Sequence, residues 1–235
     1  MRLLLLSNST NAGEQYLQSA IGTIKQFLGN QSLNGVFVPY AGITITWDNY
    51  SNLVKEKFNE TGQSVQSVHL SSDPRKAIEE AGFIVVGGGN TFHLLKYMQQ
   101  NKLIEVIKKK VVEGTPYIGW SAGANVACPT IKTTNDMPVV QPQSFDAINL
   151  VPFQINPHYL DANPAGHAGE TREARILEFI EVNPDVIVTG LREGTCFQIE
   201  NTKMIYKGTR TVRIFKKGTA TRELDEKDDF SFLIK

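Results

Sequence analysis

The sequence predicts an α/β protein: a mostly parallel sheet flanked by helices, with a small antiparallel annex towards the C-terminal end. Three observations carry this expectation. Short apolar runs alternate with longer amphipathic stretches up to about residue 120, the pattern of strand–helix–strand crossovers. The runs Leu3–Leu6 and Phe83–Val86 are continuously apolar, as parallel strands covered on both faces must be. Beyond residue 186 the pattern changes to short strands joined by turns such as Lys217-Gly218.

The elements follow in order. Leu3–Leu6 reads as a buried strand that enters the polar loop Ser7-Asn8-Ser9-Thr10 at once. Helical spacing over 13–28 leads to a strand at Val36–Val38, a helix over 47–60 and a strand at Val65–Leu70. Asp73 before Pro74 supplies an N-cap with proline at the first helical position, so a helix is expected over 74–81. After Phe83–Val86, apolar residues from Leu94 to Val111 recur at helical spacing with lysines between them, which predicts one helix over 91–112. Tyr117–Ile118 is the next strand. Val186–Val188, Cys196–Ile199, Met204–Tyr206 and Val212–Phe215 make up the expected annex. No repeat, low-complexity segment or linker divides the chain, so a single domain over 1–235 is expected.

Composition narrows the class of function. The chain is 41% apolar and 20% charged, with 24 basic and 24 acidic residues. That balance offers no net field to a polyanion, which argues against a nucleic-acid partner. Two cysteines, Cys128 and Cys196, do not make a disulfide framework and point to a reducing compartment. The four leucines after Met1-Arg2 are too short a run for an export signal, and no apolar run approaches the roughly 20 residues that span a bilayer. A cytoplasmic protein without a membrane partner is expected.

The chemistry concentrates at Gly119-Trp120-Ser121-Ala122-Gly123. Gly-x-Ser-x-Gly between a strand and a helix is the nucleophile-elbow pattern: the tight turn projects the serine hydroxyl into the open, and the helix start aims N–H groups at a developing oxyanion. Gly87-Gly88-Gly89-Asn90 also follows a buried strand and enters a helix. Its bare backbone can supply further N–H donors. A serine nucleophile needs a base. Among the four histidines, His69 and His93 sit inside regular elements. His158, stiffened by Pro157, is favoured over His167 in a Gly-rich loop. The orienting carboxylate is Asp136 or Glu193, each in a loop beside a strand end. No His-x-x-x-His or Cys-x-x-Cys spacing occurs, so neither a metal nor another cofactor is expected.

The stretches 4–10, 86–92 and 118–125, continuing through 128–138, 154–158 and 169–173, together resemble the peptidase E family of aspartyl dipeptidases over nearly the whole chain. The resemblance implies a glutamine-amidotransferase-like α/β fold and hydrolysis of dipeptides with an N-terminal aspartate. It also implies Ser121 as nucleophile, His158 as base, and oxyanion N–H groups from Gly89 and Ala122. Of the two carboxylates it offers for the third position, Asp136 lies in the tighter motif and is preferred, with Glu193 as the alternative. The resemblance further implies a homodimer. Arg172, in Gly169-Glu170-Thr171-Arg172, is expected to hold the substrate carboxylate, because a guanidinium fork can bind a carboxylate through two parallel hydrogen bonds. The rival enzyme readings are an amidotransferase glutaminase, which carries cysteine at the elbow where this chain has Ser121, and a cyanophycin-type hydrolase, which needs a longer groove. A catalytically silent binding protein fits poorly with an elbow, a Gly-rich loop, His158 and two acids in one chain.

Overall fold

A computed structural model of the protein describes residues 1–163, 165, 166 and 168–234. In chain order it runs through β1 (Arg2–Leu6), α1 (Ile21–Leu28), β2 (Asn34–Val38), α2 (Trp47–Asn59), β3 (Ser64–Ser67), α3 (Pro74–Glu80) and β4 (Phe83–Val86). There follow α4 (Thr91–Gln100), α5 (Leu103–Val112), β5 (Tyr117–Trp120), α6 (Ala122–Asn125), β6 (Gln154–Asn156) and α7 (Arg172–Val182). The chain closes with β7 (Val188–Gly190), β8 (Cys196–Glu200), β9 (Lys203–Lys207), β10 (Val212–Phe215) and β11 (Arg222–Leu224).

A seven-stranded sheet has the order β3-β2-β4-β5-β1-β8-β9. Strands β3, β2, β4, β5 and β1 pair in parallel, whereas β8 and β9 add antiparallel beyond β1. The continuous apolar runs explain how the sheet is filled. Successive side chains point to opposite faces, so Leu3, Leu5, Ile84 and Val86 enter one core while Leu4, Leu6, Phe83 and Val85 enter the other. The expected α/β class is the observed one.

The details differ from expectation at four places. The helix anticipated over 91–112 is two helices: Lys102 takes a left-handed backbone (φ 54) and the Asn101 side chain caps the Tyr97 carbonyl. The first helix starts at Ile21, after a run of turns in which Leu17 also has positive φ. The third strand ends at Ser67, and a 3-10 turn over Val68–Leu70 turns Leu70 out to solvent. The tail strands divide between two sheets. β8 and β9 cover the edge of β1, where Phe197 and Ile199 join the main core. β7, β10 and β11 instead build a second sheet, in the order β11-β10-β7-β6, in which only the β6–β7 pair is parallel. Helix α7 packs Ile176 and Ile180 against Val188 and Phe215 of this second sheet.

The parallel strands β1, β4 and β5 therefore end at one rim of the main sheet, where open α/β sheets collect their sites. Among the described residues no helix is long and apolar enough to cross a membrane.

Candidate active site

Ser121 lies between β5 and α6 with φ 52 and ψ −112, a backbone conformation that L-residues rarely adopt. Such strain costs about 1–3 kcal/mol and persists only where the surroundings enforce it. Here the enforcement is visible. The Ser121 N–H donates to the Leu6 carbonyl at 3.0 Å, and its own carbonyl accepts from Ala124 and Asn125 N–H groups at 3.0 and 2.9 Å. Gly123 sits so close to β4 that a Cβ there would collide with the Val86 carbonyl oxygen.

The Gly-rich loop closes over the same rim. Gly89 has φ 129, open to glycine alone, and a Cβ there would strike the Ala41 carbonyl. A buried line of polar groups holds the loop down: Trp120 Nε1 donates to Tyr50 Oη at 3.2 Å, and Tyr50 Oη donates to the Gly88 carbonyl at 3.0 Å. The N–H of Gly89 has no acceptor among the described residues, and neither does that of Ala122 in the first turn of α6.

His158 follows β6 and also has positive φ, 52. Its N–H donates to Ser7 Oγ at 2.9 Å, and Ser7 Oγ in turn donates to the Leu191 carbonyl at 2.8 Å. One hydroxyl at the end of β1 thus joins the backbones that follow β6 and β7. The ring reaches Ser121 Oγ through Nε2 at 2.9 Å and Glu193 Oε1 through Nδ1 at 2.7 Å. The turn carrying Glu193 is fixed from behind, where Gly194 N–H donates to Asn8 Oδ1 at 2.8 Å and Thr195 Oγ1 donates to the Arg192 carbonyl at 2.6 Å.

Asp136, expected as the orienting carboxylate, stands elsewhere. Its Oδ2 accepts from the N–H and Oγ1 of Thr91, at 2.7 and 2.6 Å, and from Thr134 Oγ1 at 3.1 Å. It satisfies the first turn of α4 and does not meet the imidazole; the carboxylate in contact with the His158 ring is that of Glu193, the alternative the sequence offered. Loop 133–137 therefore hangs on two anchors, α4 through Asp136 and β6 through Asn135, whose Nδ2 donates to the Pro157 carbonyl at 2.6 Å.

That loop forms one wall of a cleft of about 200 Å³, with Asp136, Asn156, Arg172, Ile176 and Phe179 among its lining. Arg172 is half-buried and its guanidinium makes no hydrogen bond or ion pair among the described residues, while the acids beside it in sequence pair elsewhere. Glu173 pairs with Arg213 at 2.8 Å and Glu170 with Arg175 at 3.8 Å. Burial pushes the Arg172 guanidinium pKa down and the Arg175 charge acts the same way, while the Asp136 carboxylate opposes them. Arg192, by contrast, has its fork filled by Asp161, Glu223 and Thr211. Among the described residues no group of three or more His, Cys, Asp or Glu is placed to hold a metal ion. His167 lies outside the described residues, His69 bonds Ser67 and Asp48, and His93 bonds the Tyr40 carbonyl.

Sequence reasoning missed the residues that hold the site together. Ser7 and Asn8 carried a signal, being polar residues placed directly after a buried strand. Asn125 did not: fully buried, it donates to the Ile155 carbonyl at 2.8 Å and so ties α6 to β6.

Comparison with known proteins matches this chain to peptidase family S51 over residues 3–207. A peptidase E from Nostoc sp. is 49% identical over 233 residues, covering 99% of this chain and 96% of that protein. A peptidase E from Salmonella typhimurium is 49% identical over 218 residues, covering 93% and 95%. The solved structure of a peptidase from an acI-B1 actinobacterium superposes with a TM-score of 0.71 at 18% identity, covering 98% of this chain and 96% of that one, and so shares the fold.

Proposed function

Because the chain belongs to peptidase family S51, we propose that it is a serine dipeptidase acting on Asp-X dipeptides through an acyl-enzyme on Ser121. The observation that carries the reading is the line Ser121 Oγ, His158 Nε2, His158 Nδ1, Glu193 Oε1, with contacts of 2.9 and 2.7 Å. Glu193 accepts from Nδ1–H, which leaves Nε2 free to receive the Ser121 proton as Oγ attacks the scissile carbonyl. His158 then returns that proton to the leaving amine, and water attacks the ester along the reverse path. The N–H groups of Gly89 and Ala122, unpaired among the described residues, are the donors for the tetrahedral oxyanion.

Substrate choice rests on the cleft. A half-buried guanidinium without a partner is costly, and a carboxylate ligand removes that cost with two charge-assisted hydrogen bonds. Arg172 is that group, and it reads the aspartate side chain. Among the described residues Asp136 uses only Oδ2, and its Oδ1 is the acceptor for the free ammonium group of the substrate. The 49% identity to peptidase E proteins along nearly the whole chain favours this reading over a cyanophycin-type hydrolase. Cytoplasmic residence and a homodimeric state belong to the same proposal; cell fractionation and analytical ultracentrifugation check them.

The test is hydrolysis by the purified protein of Asp-Leu, Asn-Leu and N-acetyl-Asp-Leu. Asp-Leu should be cleaved, Asn-Leu much more slowly and the acetylated peptide hardly at all. Equal rates on all three would overturn the assigned specificity.

A further inference from the structure

We infer that Arg192 and Asp161 form a clamp that positions the base–acid pair of the active site; the inference rests on the reading of His158 and Glu193 as that pair. The clamp residues flank the pair in sequence: Asp161 follows His158 by three positions and Arg192 immediately precedes Glu193. Arg192 Nε donates to Asp161 Oδ2 at 2.9 Å and Nη2 donates to Asp161 Oδ1, a two-point fork that fixes orientation as well as distance. Between the clamp and the catalytic bond, Tyr159 N–H donates to the Leu191 carbonyl at 3.0 Å, and the Arg192 guanidinium lies 5.5 Å from the centre of the Tyr159 ring. The two loops are thus tied three times over, and the His158–Glu193 bond is the tie facing substrate.

Two features set this apart from an ordinary surface ion pair. The Arg192 side chain is only 9% exposed. Its remaining donors are anchored on the second sheet: Nη1 donates to the Thr211 carbonyl at 2.6 Å and to Glu223 Oε2 at 3.0 Å. The guanidinium is thus held by Thr211 and Glu223 on one side, and on the other it grips Asp161 in the His158 loop. The Glu193 and His158 side chains are 41% and 38% exposed, so little packing of their own holds them in register. A displacement on the order of 1 Å in such a pair is enough to cost turnover.

A double-mutant cycle on kcat tests the clamp without orphaning the arginine, because Asp161→Asn leaves the contacts to Thr211 and Glu223 in place. Asp161→Asn should lower kcat on Asp-Leu about tenfold with KM changed less than twofold, and Asp161→Glu should restore at least half of the lost turnover. In a Glu193→Gln background, Asp161→Asn should cost less than twofold more, since the bond it positions is already gone. Two results would overturn the clamp: a loss below threefold from Asp161→Asn alone, or the same fold-loss in both backgrounds, which would mark a general structural effect. If Glu193→Gln itself costs less than threefold, the catalytic assignment fails and the clamp falls with it. Circular dichroism of each variant confirms that folded proteins are being compared.

Discussion

Glu193 Oε1 lies 2.7 Å from His158 Nδ1 although the two residues are 35 positions apart, on the loops that follow two neighbouring parallel strands, β7 and β6. The contact selects the imidazole tautomer with the proton on Nδ1, the form in which Nε2 can accept from Ser121. Replacing the carboxylate by an amide removes that selection. Glu193→Gln should therefore lower kcat by on the order of 10²- to 10⁴-fold, while Asp136→Asn should act mainly on KM and on the stability of the α4 start. Steady-state kinetics of the two variants decide it, and a larger kcat loss at Asp136 would return that residue to the catalytic line.

Ser121→Ala should leave a folded protein whose turnover has fallen by on the order of 10⁴-fold or more. The residue keeps its positive φ in the variant, so a modest change in thermal midpoint is compatible with the assignment. Activity within tenfold of the parent is not.

Arg172→Met tests how the aspartate is read. The half-buried guanidinium has no partner to abandon among the described residues, so the fold should persist. Cleavage of Asp-Leu should fall by about 10²-fold or more, and cleavage of Asn-Leu far less. The quantity to measure is the ratio of kcat/KM for the two dipeptides, and an unchanged ratio would remove Arg172 from the specificity site.

The Arg192 network makes an acid-side prediction. The hydrogen bond from Arg192 holds Asp161 below its ordinary 3.8. In Glu223 burial acts to raise the value, but hydrogen bonds from Arg192 and Thr211 outweigh it and the group ends below its ordinary 4.5. Depressed carboxylates stabilise the fold above their unfolded values and lose that contribution as pH falls through their folded ones. The difference in Tm between wild type and Asp161→Asn should be largest above about pH 5, amount to a few degrees at most because Asp161 is solvent-facing, and shrink as pH falls below 3.8 and through the depressed folded value. A gap that widens on acidification would contradict this.

Neither thiol should be reactive. Cys128 and Cys196 are buried, and burial pushes both up to about 12. A thiol reagent at pH 8 should label the native protein only as fast as it unfolds, and both cysteines at once in denaturant. Rapid labelling of the native state would show that one of them is open to solvent.

The sequence alone determined the local chemistry. Unbroken apolar runs required strands covered on both faces. Gly119-Trp120-Ser121-Ala122-Gly123 between a strand and a helix required an elbow, since its constraints act within five residues. His158 was legible for the same reason, in a stiff turn just past an apolar stretch. The choice between Asp136 and Glu193 was not, because both are loop acids beside strand ends and nothing local separates them. Only the pairing of β6 with β7 decides which of the two meets the imidazole. That pairing carries Glu193 to the His158 ring, while Thr91 and Thr134 draw Asp136 to the start of α4. That Arg172 has no partner among the described residues was likewise decided in three dimensions, where Glu173 turns to Arg213 and Glu170 to Arg175. Which acid meets which base is settled by strand register and by competition among partners, and both bring together residues that the sequence holds far apart.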